Sequence, residues 1–175
     1  MRASLSLIRL MPAWLLVVSG CGGNVVGPEE ADPRLRTDVT PAADWVLVQR
    51  PGFSFVLPPG FEKLPLQPID SDAAAYALGE SSLHHDYGFY TGPWSHDGPI
   101  DGTPIRDVVR QHVQIGGKTA ELVAFRYGAI QVVRAWWRQV DTAHGQGEHL
   151  LVRIETPDTH VRAELLASIY SVEFP

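Results

Sequence analysis

Apolar and polar positions alternate along much of the chain after Trp45. Trp45-Val46-Leu47-Val48 is a short apolar run, and Phe53, Phe55 and Leu57 then alternate until Pro58-Pro59-Gly60 breaks the pattern, which predicts a strand followed by a turn. Ala73 to Leu78 predicts another strand, Glu80-Ser81-Ser82 its turn, and Tyr87, Phe89 and Thr91 one face of the next. Residues 92–103 hold glycine and proline and predict a loop. Thr103 then stands where a cap belongs, Pro104 at a first helical position, and Ile105, Val108, Val109 and His112 at i, i+3, i+4 and i+7, the spacing of a short helix.

The second half repeats the strand pattern. Ile115-Gly116-Gly117-Lys118 is a hairpin signal. Val123, Phe125 and Tyr127 share one side of the run 120–127, and the run 130–140 sets Val133, Ala135 and Trp137 against Arg134, Trp136 and Arg138. A loop is expected over 141–147, after which Leu150, Val152 and Ile154 alternate with polar neighbours. Thr156-Pro157 opens a second helix with Val161, Leu165, Leu166 and Ile169 as its apolar stripe, and Tyr170, Val172 and Phe174 suggest a last strand. Tight connections make consecutive strands antiparallel. The expected fold class is α+β: a twisted, mainly antiparallel β-sheet of about six to seven strands with two helices packed on it.

Residues 1–21 follow a different rule. Arg2 and Arg9 precede the apolar run Leu10–Val18, and small residues then lead to Cys21, the layout of a secretory signal peptide. The run is far short of the ~20 residues that span a bilayer. Val18-Ser19-Gly20-Cys21 resembles the lipobox of bacterial lipoproteins. That resemblance implies cleavage before Cys21, a diacylglycerol thioether on its sulfur and acylation of the new amino terminus, with ~0.8 kcal/mol of membrane affinity per buried CH₂. Gly22 stands where aspartate marks inner-membrane retention, so the resemblance implies the outer membrane of a two-membrane cell, with the domain in the periplasm or at the cell surface. Residues 22–43 are rich in Gly, Pro and charge and read as a flexible tether of ~25 Å r.m.s. span. The expected organisation is a signal peptide over 1–20, lipidated Cys21 and tether over 21–43, and a single domain over 44–175.

At 175 residues, with 45% hydrophobic and 19% charged content, the chain suits one globular domain. Its net charge is −6, and loss of Arg2 and Arg9 with the leader lowers 14 basic side chains to 12 against 20 acidic, a balance of −8. Such a balance opposes binding to nucleic acid and polybasic docking on anionic lipid. With Cys21 the only cysteine, no internal disulfide exists and burial must supply stability. Trp45, Trp137, Phe53 and Phe125 are the expected core aromatics.

Three short motifs resemble PsbP-like and Mog-type domains: Phe53-Ser54-Phe55-Val56-Leu57-Pro58-Pro59-Gly60-Phe61 at their opening strand, Ile115-Gly116-Gly117-Lys118-Thr119-Ala120 at their central hairpin, and Leu166 to Phe174 at their end. Pro68-Ile69-Asp70-Ser71 and His85-Asp86-Tyr87-Gly88-Phe89-Tyr90 are similar to segments of uncharacterised lipoproteins with such domains. The resemblance implies an α+β domain and a non-catalytic docking or accessory role, and transfers no ligand residues.

His84-His85-Asp86 and, further on, His96 suggest a divalent metal by residue type. On a strand, His84 and Asp86 share one face and His85 the other, which halves the ligand count, and no H-E-x-x-H or C-x-x-C accompanies them. Polar side chains solvated beside a turn are the preferred reading, and neither metal nor other cofactor is expected. No G-x-S-x-G elbow is present and Cys21 is expected to carry lipid, so no enzyme is expected. Arg134, Trp136 and Arg138 share a strand face and form the candidate ligand-binding set for an anionic or sugar-like molecule, through stacking and cation–π contact. The competing reading has arginine stems covering the indole while Glu121, Glu148 and Glu155 neutralise the charge. The expected partners are a membrane, through Cys21, and an envelope protein; the alternative is a small-ligand or metal-binding envelope protein.

Overall fold

The computed structural model describes residues 25–68, 71–88, 91, 100–141 and 148–175. Strands run through β1 (Val25–Val26), β2 (Val46–Arg50), β3 (Phe53–Leu57), β4 (Glu62–Leu64), β5 (Asp72–Leu78), β6 (Ser81–Gly88), β7 (Ile105–Ile115), β8 (Lys118–Tyr127), β9 (Ile130–Asp141) and β10 (Glu148–Thr156), followed by α1 (Thr159–Tyr170). Eight of them form one sheet in the order β1-β7-β8-β9-β10-β6-β5-β4, while β2 and β3 make a separate hairpin. The sheet is mixed, because β1 runs parallel to β7. Among the described residues there is one α-helix, and 3-10 turns at Pro28–Glu30 and Pro33–Leu35.

This corrects the expected α+β arrangement of six to seven strands and two helices: the domain is mainly β, with ten strands and α1 alone among the described residues. The segment read as a first helix is β7. Its spacing imitates a helix because a bulge between Arg106 and Val109 adds one residue on that strand, with Asp107 at φ 56. The extra residue breaks the period of two and leaves Ile105, Val108, Val109 and His112 at helical intervals. Their β-branched side chains suit the strand. The expected last strand also differs. Tyr170 closes α1, and the chain beyond it pairs through a single bridge, in which Ser54 and Glu173 exchange backbone hydrogen bonds of 2.9 Å.

Two local signals act as their chemistry dictates. Gly116 and Gly117 (φ 59 and 74) turn β7 into β8, with Ile115 opposite Lys118. Asp158 caps α1, accepting from the backbone N–H groups of His160 at 2.7 Å and Val161 at 3.1 Å.

The core lies between one sheet face and a cover made by α1 and the β2–β3 hairpin. Leu83, Leu122, Val133, Ala135, Trp137, Leu150, Val152 and Ile154 bury themselves against Leu165, Leu166 and Ile169 of the helix and Phe53, Phe55 and Leu57 of the hairpin. Of the expected core aromatics, Trp137 and Phe53 lie here, Phe125 is buried, and Trp45 is half-buried. Arg50 clasps both carboxylate oxygens of Asp72, Nε 2.8 Å from Oδ2, and holds the hairpin to β5.

Part of the stretch expected as a tether lies on this body. Val25 and Val26 pair with His112 and Val113, and Leu35 is 0% exposed. Asp32 N–H donates to Gln111 Oε1 at 2.8 Å, Thr37 Oγ1 to Ala163 O at 2.8 Å, and the Tyr170 hydroxyl to Leu35 O.

Candidate functional site

The sheet face turned away from α1 carries the chemistry. Alternation along β10 sends Leu150, Val152 and Ile154 to the core and Leu151, Arg153 and Glu155 to the other side. Arg153 stands between Arg134 of β9 and His84 of β6. On the adjoining rungs, Leu151 stands between Trp136 and Asp86, and Glu155 between Val132 and Ser82. The fold thus brings Arg134 and Trp136, from one candidate set, onto the same face as His84 and Asp86, from the other.

The layer is charged and partly buried. Arg134 is 5% exposed and its guanidinium carbon lies 4.8 Å from the Phe125 ring centroid, a cation–π contact. Burial, and then the charge of Arg153, push Arg134 down to about 10, so it remains a cation at neutral pH. Arg153 pairs with Glu155, and Tyr127 Oη donates to Glu155 Oε1 at 3.2 Å. Burial, and then the Glu155 charge, raise the Tyr127 phenol. Trp136 stacks on His149, with centroids 5.7 Å apart and planes at 22°. Burial and the neighbouring Arg153 lower His84, which favours its neutral form. Asp86 Oδ1 and Trp136 Nε1 are buried with no hydrogen-bond partner among the described residues.

Other candidates fall elsewhere. Arg138 is exposed farther along β9, and the carboxylates expected to neutralise the arginines divide: Glu155 serves Arg153, Glu121 pairs with Arg110 at 2.8 Å, and Glu148 accepts from Tyr87. His85 points to the core side, 2% exposed, against Phe53, Phe55 and Tyr76. Its ring nitrogens have no partner among the described residues, and burial pushes it down to about 4. His84 and His85 therefore do not converge, and no group of three or more His, Cys, Asp or Glu able to hold a metal occurs among the described residues. His96 and Cys21 lie outside the described residues. Ser82, His84 and Asp86 share the strand face at backbone steps of ~7 Å.

Chemically, the guanidinium and indole groups of this layer are suited to recognition by charge, hydrogen bonding and stacking, because an arginine cannot give up its proton near neutral pH. Arg153 is the member that sequence reasoning missed. Alternation with Leu150, Val152 and Ile154 already put it on the polar side, but its place beside Arg134 depends on strand register. No family model and no curated protein matches this chain.

Proposed function

We propose that the chain is a lipid-anchored, non-enzymatic accessory domain of the bacterial cell envelope, held at the outer membrane through Cys21 and serving as an interaction module for an envelope protein. The observation that supports it best is the closeness of the anchor to the fold. Three residues separate Cys21 from Val25, which is paired into the sheet edge. Even fully extended, that link spans at most ~14 Å. A lipid on Cys21 therefore holds the β1–β7 edge against the headgroups instead of letting the domain swing on a long tether. Val25 and Val108, 47% and 57% exposed, lie on that edge and suit the interfacial zone. No described helix is long and apolar enough to cross a membrane. Membrane fractionation tests it: the chain should sediment with membranes, resist salt and dissolve in detergent, while Cys21→Ser should not behave as an integral component. Release of the wild-type chain by salt alone would contradict the anchor.

The second reading, recognition of a small anionic or sugar-like ligand by Arg134 and Trp136, draws support from their convergence with Arg153, His84 and Asp86 on one sheet face.

A further inference from the structure

At one end of the sheet, on the helix side, two adjoining cavities of about 400 and 320 Å³ share Arg126 and Asp107 in their walls. The walls come from the 3-10 turn at Pro33–Leu35, the β7 bulge, the end of the β8–β9 hairpin and the first turns of α1. Four arginines line them, Arg34, Arg106, Arg126 and Arg162, against the carboxylate of Asp107. Asp32 already holds Arg34 through both oxygens, at 2.9 and 3.0 Å, and Arg34 Nη1 reaches Asp107 O at 3.3 Å. The other three guanidiniums make no hydrogen bond or ion pair with a described residue. Arg106 and Arg126 are also direct cross-strand partners, an arrangement that is unfavourable for like charges. Arg162 occupies the fourth position of α1, near the positive end of the helix dipole, where a cation is disfavoured. Burial depresses it further. Three cations with one carboxylate in the same walls, in a chain of net charge −6, is a local excess that no described residue offsets by a hydrogen bond or ion pair.

We infer that this arginine-lined groove binds a phosphate group, with Arg106, Arg126 and Arg162 as its ligating side chains. Guanidinium forks match the oxygens of a tetrahedral oxyanion, and Arg126, which lines both cavities, stands with Arg106 in the wall of one and with Arg162 in the wall of the other, so that β7, β8 and α1 supply the forks without ordering a long loop. The phosphate comes either from a soluble ester or from a phospholipid headgroup. The site stands whether or not Cys21 carries lipid.

The test is titration of the purified full chain, in nonionic detergent at constant ionic strength, with inorganic phosphate, followed by ³¹P line broadening. Saturable broadening is expected. It should weaken about tenfold or more in Arg126→Gln, an exposed position, and in Arg162→Met, which keeps the apolar stem. Without phosphate, Arg162→Met should melt at or above the wild-type temperature, because an uncompensated cation is gone; a purely structural arginine would lower it. Doping the micelles with phosphatidylglycerol separates the sources: displacement of inorganic phosphate assigns the groove to a headgroup, and no displacement to a soluble ester. Absence of saturable broadening, or equal broadening in both variants, overturns the proposal.

Discussion

The His85 ring meets Phe53 edge-on, with centroids 5.2 Å apart and planes at 80°, where the β2–β3 hairpin closes over β6. Phe55 and Tyr76 complete the enclosure. Burial, and then the charges of Arg50, Lys63 and His84, hold His85 down to about 4 from 6.5. The unfolded chain therefore takes up this proton near pH 6.5, while the folded chain refuses it until about pH 4. Stability from this group is complete above pH 6.5 and is lost as pH falls towards 4, by about 3 kcal/mol. Urea midpoints at pH 7.5 and 4.5 measure the loss. His85→Leu should lose distinctly less over the same interval; an equal loss would show that His85 is not the group responsible.

Leu35 tests how firmly the N-terminal stretch is docked. It is fully buried, and Tyr170 donates to its carbonyl. Leu35→Ala should destabilise the domain by about 3 kcal/mol in chemical denaturation, as expected for a core leucine. A residue on a flexible tether would show no change.

Gly116 and Gly117 both have positive φ but differ in surroundings. A Cβ on Gly116 would come 2.4 Å from Val172 O, whereas Gly117 faces open space. Alanine at Gly117 should cost about 1 kcal/mol from the left-handed conformation alone. At Gly116 the backbone must also move, and the loss should be at least about twice as large. Thermal melts of the two variants give the comparison, and equal losses would mean that the chain end does not pack on the hairpin.

The short link from Cys21 orients the domain. The outer strands, β1 and β4, lie seven strand intervals apart, ~34 Å at ordinary strand spacing. A fluorophore on a cysteine introduced at Val108, near the β1 edge, should be quenched by nitroxide lipids in reconstituted vesicles, and one at Leu78, near the β4 edge, should not. Ten Gly-Ser residues inserted after Gly23 should abolish the difference without changing the melting temperature. Equal quenching before the insertion would contradict the orientation.

The sequence was most legible where a strand is half-buried and regular. The 150–154 run alternates cleanly, and the two faces of β9, with Trp137 inward and Arg134 and Trp136 outward, followed from period two. It misled at β7, where one extra residue at Asp107 converts strand spacing into helical spacing. Composition hid the docked N-terminal stretch, since Ala31 and Leu35 are small apolar islands among proline and charge. Neither the meeting of Arg134 with Arg153 nor the arginine groove was visible. Both depend on register between strands and on contacts between residues far apart in the chain, which side-chain packing decides.

Mass spectrometry of the N-terminal proteolytic peptide, from chain extracted out of bacterial membranes, addresses the anchor most directly. The expected species begins at Cys21 and carries a diacylglycerol thioether with an acylated amino group. A peptide that still contains Met1 to Gly20 and a free thiol at Cys21 would contradict the account.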